Sequence, residues 1–177
     1  MPKLDCIALT LAATLAAATA AHAADACRFA PLKLETADKA KYARYVGKGK
    51  FVEIEVTNYT GKPADLFSDP PLRVRSSRGG SACAIDAGNR VLKSFFLSAD
   101  ETYLMAYEFS GSEDELVVYD VAKCERKNAF KLAGAKWSVD GNAITIGAHC
   151  NDEARKDCVP KQVVRLDEKC GPLDNKK

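Results

Sequence analysis

The sequence predicts an all-β domain, an open stack of two or three antiparallel sheets with a short N-terminal helix and with a β-sandwich as the alternative arrangement. Three observations lead there. Short apolar or alternating segments recur from Phe51 to the C-terminus, and turn-forming clusters separate them at regular intervals. No helical period competes with them after Gly49. Six cysteines remain in the exported part of the chain, an even set that can cross-link a domain of this size.

The elements follow in order. The chain opens "MPKLDCIALTLAATLAAATAAHA", with Lys3 at the positive end, an apolar run from Ile7 to Ala21 and the small-residue pattern Ala21-His22-Ala23. This is the layout of a cleavable signal peptide over residues 1–23. The run is shorter than the roughly 20 apolar residues of a spanning helix, so no membrane insertion is expected after cleavage. Cys6 leaves with the leader. Residues 24–177 then form a single disulfide-stabilised domain, long enough for one core. An exported chain of this kind is expected in the periplasm, with the extracellular space as the alternative.

Around "ADKAKYARYVGKGK" a short helix is expected over Thr36 to Tyr45, ended by Gly47 and Gly49. "FVEIEVTN" then alternates, with Val52, Ile54 and Val56 on one face and Glu53, Glu55 and Thr57 on the other, as a half-buried strand does. "NYTGKP" reads as a turn. Further strands are expected at Leu72–Arg75, Ala82–Ile85, Val91–Leu97, Thr102–Phe109, Glu115–Val121, Ala129–Leu132, Ala143–Gly147 and Gln162–Leu166.

A repeat links these strands. "LSADETYLM" from Leu97 and "WSVDGNAIT" from Trp137 share large apolar, Ser, any, Asp and turn residue, at an offset of 40 residues. "ELVVYDVAKCE" and "QVVRLDEKCG" share a strand, an Asp and a Lys-Cys pair. Cys83, Cys124 and Cys170 fall 41 and 46 residues apart, at similar points of successive units. The Ser and Asp side chains are suited to closing turns through local backbone groups, and the preceding apolar residue to packing between sheets. Trp137, at the position of Leu97, is read as core.

These units resemble blades of WD-repeat and Tol-type propellers, at about 89–128 and 129–171, with a degenerate third unit ending at Cys83. Ring closure takes about four or more blades, whereas this chain has room for about three, so the resemblance implies an incomplete propeller-like stack.

The cysteines Cys27, Cys83, Cys124, Cys150, Cys158 and Cys170 allow 15 pairings, which spacing alone does not resolve. Cys150 and Cys158 bracket a short polar loop that a bond between them would close. Cys27 is expected to staple the N-terminal arm.

Composition and motifs argue against several functions. The formal charge of +2 comes from evenly mixed acids and bases, so no nucleic-acid partner is expected. "RVRSSR", from Arg73 to Arg78, reads as a solvated strand end. His149 is the only histidine left after the leader, and no Gly-any-Ser-any-Gly elbow accompanies it. His149, Cys150 and Cys158 lack a fourth ligand at zinc spacing, and oxidation competes with metal binding, so no metal is expected. "VGKGK" lacks the Ser/Thr of a phosphate loop, and no cofactor is expected. The consecutive acids Glu113, Asp114 and Glu115 lie in a polar hairpin with nothing to desolvate them. A non-catalytic binding protein remains.

Its candidate binding element is the hairpin tip Ser110, Gly111, Ser112, Glu113 and Asp114, expected to be a small, polar and mobile loop on a rigid base. A short exported all-β chain with propeller-like units, structural cysteines and no catalytic set resembles the periplasmic immunity proteins that bacteria raise against their own type VI secretion peptidoglycan amidases. The resemblance implies a serine-bearing loop that enters the cleft of a papain-like cysteine amidase. Ser110 and Ser112 would then plug the cleft, Gly111 would allow close backbone approach, and Glu113 and Asp114 would supply charge at its rim. Other readings of the same features are a scaffold or accessory module of an envelope complex and an inhibitor of a lysozyme-type enzyme.

Overall fold

The computed structural model describes residues 27–173 apart from 70, 80, 81, 87 and 151–157, and at 149, 150, 158 and 159 it describes the backbone alone. The signal peptide expected over residues 1–23 lies outside the described residues. In chain order the first strands are β1 (Phe29–Pro31), β2 (Leu34–Thr36), β3 (Arg44–Lys48), β4 (Val52–Thr57), β5 (Leu66–Phe67), β6 (Leu72–Ser76) and β7 (Cys83–Ile85). The longer strands β8 (Asn89–Ser98), β9 (Tyr103–Ser110), β10 (Glu113–Asp120) and β11 (Glu125–Lys131) follow. Last come β12 (Trp137–Asp140), β13 (Ala143–Ile146), β14 (His149–Cys150), β15 (Cys158–Val159) and β16 (Gln162–Arg165).

These strands form an open stack of three antiparallel sheets, none closed into a barrel. The central sheet has six strands, ordered β1-β8-β9-β10-β11 with β5 also on β8. One face packs on the five-stranded sheet β2-β3-β4-β6-β7 and the other on the three-stranded sheet β12-β13-β16. A two-stranded ladder, β14-β15, accompanies them. The third layer is what a two-sheet sandwich lacks.

Two cores explain why the central strands do not alternate in sequence. Leu104, Ala106, Val117 and Tyr119 face the five-stranded sheet, where Ile54, Val56, Leu72 and Val74 meet them. Met105, Leu116, Val118 and Phe130 face the other way, toward Ile144 and Ile146. Leu116, Val117 and Val118 are thus at most 1% exposed, although neighbours in a strand point to opposite faces. In β4, the middle strand of the five-stranded sheet, Val52, Ile54 and Val56 point inward as expected, and Glu55 on the other face is also buried, paired with Arg44.

The helix expected over Thr36–Tyr45 is absent. Those residues end β2, turn, and start β3. The Asp38 carboxylate accepts the Ala40 N–H at 2.9 Å, its carbonyl accepts the Tyr42 N–H at 2.8 Å, and Tyr42 takes a φ of 48°. Tyr45 is then buried by strand pairing, packs edge-on against Phe67 and accepts the Ala64 N–H at 3.0 Å. Sheet burial outweighs the helix propensity of the intervening Ala and Lys residues.

The second half of the repeat has the same physical basis in both units. Asp120 Oδ1 accepts the Ala122 and Lys123 N–H groups, and the turn ends at Cys124 with φ 55°. Asp167 Oδ1 likewise accepts from Lys169 and Gly171, and Cys170 takes φ 57°. Each of these cysteines forms a disulfide. Cys124 bonds Cys83, and Cys170 bonds Cys27, which ties the N-terminal arm across a sequence separation of 143 residues. Cys150 and Cys158 sit directly opposite each other in the β14-β15 register, and their side chains lie outside the described residues.

Candidate partner-binding hairpin

The candidate site grows out of the central sheet. β9 and β10 pair without interruption from Tyr103↔Asp120 to Ser110↔Glu113, leaving Gly111 and Ser112 as a two-residue loop. Gly111 has φ 60° and Ser112 lies outside the left-handed region, the φ signs of a type II′ turn, which takes glycine first. A Cβ built on Gly111 would meet nothing within 4 Å, so the backbone conformation and not crowding calls for glycine. The tip is shorter and stiffer than the mobile loop expected from "SGSED", because Glu113 and Asp114 belong to β10.

Ser110, Gly111, Ser112 and Glu113 are exposed together at the tip. Asp114 is drawn back into the base. Its carboxylate accepts the Gly134 N–H at 2.9 Å and hydrogen-bonds the Tyr107 hydroxyl, and its carbonyl accepts the Leu132 N–H at 3.0 Å. Burial first, and then the Asp114 carboxylate, holds the Tyr107 hydroxyl above the usual phenol range. Glu115, one position on, pairs with Arg126 of β11. A shallow cleft of about 120 Å³ beside the tip is lined by Ser112, Glu113, Asp114, Glu115, Lys131 and Ala133.

The opposite turn of β9 is tied down. Ser98 Oγ donates to Asp100 Oδ1 and accepts the Tyr103 N–H, as the repeat motif suggests. Glu101 extends the turn in a way its sequence does not advertise. With a φ of 60°, it directs its carboxylate at the backbone N–H groups of Lys50, Phe51 and Val52, at 2.5, 2.6 and 2.9 Å. Gly49 makes room for it, since a Cβ there would come within 2.6 Å of Glu101 Oε1. Gly141 takes the matching position of the second unit, with φ 55° and no side chain to accommodate.

Sequence reasoning also missed a buried polar network. Arg90 Nε donates to Glu108 Oε1 at 2.8 Å, and the Tyr119 hydroxyl donates to Glu108 Oε2 at 2.9 Å. Burial, followed by the Glu108 charge, pushes the Tyr119 hydroxyl well above its ordinary pKa. The one available signal was a glutamate inside the apolar run "TYLMAYEF".

A larger groove, about 720 Å³, crosses the outer face of the five-stranded sheet. Its charges neutralise one another: Arg44 pairs with Glu55, Lys48 and Arg75 with Glu53, and Lys33 with Glu35. Of Arg73–Arg78, read as a solvated strand end, Arg73, Arg75, Ser77 and Arg78 are exposed, whereas Val74 is a core residue of β6; Arg78 stacks over the Phe51 ring at 3.7 Å and donates to the Asp100 carbonyl. Trp137, read as core, is half-buried at the rim of the second core. Among the described residues, no cluster of three or more His, Cys, Asp or Glu side chains could hold a metal ion.

A protein named "Immune protein Tsi1", from Pseudomonas aeruginosa strain PAO1, is 34% identical over 95 residues, covering 53% of this chain and 55% of that protein. The alignment therefore spans about half the length of this curated relative. The family described as Tsi1, immune protein Tsi1, matches residues 27–170, which contain all three sheets and both described disulfides. On that match, the chain belongs to the Tsi1 immune protein family.

Proposed function

We propose that the protein is an exported, non-catalytic immunity protein that binds a type VI effector toxin in the periplasm and silences it by steric plugging. Membership of an immune protein family supports the coarse reading. The target we assign is a papain-like peptidoglycan amidase, and the plug is the β9-β10 tip. Ser110 and Ser112 offer hydroxyls to polar groups in the cleft, and Gly111 lets bare backbone approach closely. Glu113, the exposed acid of the tip, steers toward a positive rim.

The observation that carries this reading is the contrast between tip and base. A two-residue turn with open space around it stands on strands whose middle residues are buried on both faces. Such a tip is already ordered, so little conformational entropy is lost when it enters a cleft. The test is hydrolysis of purified peptidoglycan by a purified papain-like type VI amidase, titrated with this protein. Inhibition reaching completion near equimolar protein is expected. Unchanged hydrolysis at a large excess contradicts the amidase assignment.

A further inference from the structure

The β9 face that looks toward the three-stranded sheet carries Met105, Tyr107 and Phe109 in succession. Met105 is fully buried in the second core, whereas Tyr107 and Phe109 are half-buried. Their rings extend a ladder from that core toward the tip. Phe96 meets Trp137 edge-on at 6.0 Å, Trp137 meets Tyr107 at 5.4 Å, and Tyr107 stacks on Phe109 at 5.7 Å with 30° between planes. Tyr107 and Trp137 pack against the second core, while Phe109 is not part of that cluster and leans on Tyr107. The residue opposite it in β10 is Asp114, whose carboxylate is engaged by Gly134 and Tyr107. Among the described residues, the last position of this β9 face before the tip is thus a large ring left partly in water.

We propose that Phe109, held by Tyr107, is an aromatic anchor that seats the hairpin on its partner, with an apolar depression on the rim of the toxin's cleft as the occupant. This rests on the reading of the hairpin as the binding element. Phe109 immediately precedes Ser110, so a cleft that engages the tip comes within reach of the ring. Aromatic side chains in well-packed positions dominate many interfaces, because they remove large apolar area from water at little entropic cost. The stack on Tyr107 fixes the ring before binding and lowers that cost further. Asp114 and Tyr107 are then positioning residues, and the partner meets Phe109, Ser110, Gly111, Ser112 and Glu113.

The experiment measures affinity and dissociation rate against the purified papain-like peptidoglycan amidase for the parent, Phe109→Ala, Phe109→Leu and a variant lacking Ser110–Ser112. Phe109→Ala is expected to weaken binding about 30-fold or more, mainly through faster dissociation. Phe109→Leu keeps the apolar volume and is expected to stay within about fivefold of the parent. Thermal melting accompanies each variant, and Phe109→Thr, a strand-favouring ring deletion, stands in if the alanine variant does not fold. Parental affinity in the folded ring deletions, together with lost binding in the tip deletion, overturns the anchor and leaves the hairpin reading intact. Unchanged binding in every variant overturns both, as does a parent protein that does not bind the amidase.

Discussion

The two ends of β9 are built in opposite ways. At its start, the turn from Ser98 to Thr102 is bonded in three directions. Ala99 donates to the Arg28 carbonyl of the N-terminal arm, Val121 donates to Thr102, and Glu101 gathers three N–H groups of the Lys50–Val52 segment. At its end, among the described residues, neither Gly111 nor Ser112 hydrogen-bonds another element, and the space around Gly111 is open. One strand therefore has a locked end that joins sheets and, at the other, free end, a two-residue tip that among the described residues bonds no other element. Substitutions at the locked end should act on stability, and substitutions at the free end on binding.

The most disruptive way to test that division lies between the two ends. Glu108→Ala removes the carboxylate that Arg90 and Tyr119 share inside the first core, and a loss of about 3–5 kcal/mol is expected by chemical denaturation. At the locked end, Glu101→Ala strips the acceptor from three backbone donors and should cost about 2–3 kcal/mol, with affinity for the partner unchanged in the folded fraction. A partner affinity that falls with Glu101→Ala would erase the distinction. At the free end, Gly111→Ala places a Cβ in the left-handed region and should cost only about 1 kcal/mol of stability while clearly weakening binding. Ser112→Ala is expected to alter stability by less than about 0.5 kcal/mol, so any change in inhibition reports contact with the partner.

Alkaline pH sharpens the same comparison from within the core. The folded pKa of Tyr119 lies above its unfolded value near 10, so its contribution is complete below about pH 10 and is lost as pH rises through the folded pKa. Unfolding free energy should decline above about pH 10, and Tyr119→Phe should flatten that decline. An alkaline limb identical in the phenylalanine variant would place its origin elsewhere.

How much of this was legible in the sequence depends on how local each signal is. The Ser98 and Asp100 motif and the paired Asp120 and Asp167 motifs rest on side-chain bonds to groups two to five residues away, so they could be read directly. The alternation of β4 was visible because only one of its faces is apolar, the other carrying Glu53, Glu55 and Thr57. The strand at Arg44–Lys48 was hidden by helix-favouring neighbours, since its state is decided by pairing with β2 and β4. The tip was placed correctly in the chain and given too many residues, because "SGSED" is polar throughout and only the register shows Glu113 and Asp114 continuing β10. Nothing local could reveal that Asp114 serves Gly134, or that Glu101 serves residues fifty positions earlier.

The division between ends is tested most directly by amide hydrogen exchange on the protein alone and mixed with the purified papain-like amidase proposed as its partner. The account predicts new protection at Gly111, Ser112 and Glu113 on binding, with no change across Ala99–Thr102. Protection that appears at the locked turn or along the five-stranded sheet, with the tip exchanging as freely as before, would contradict it.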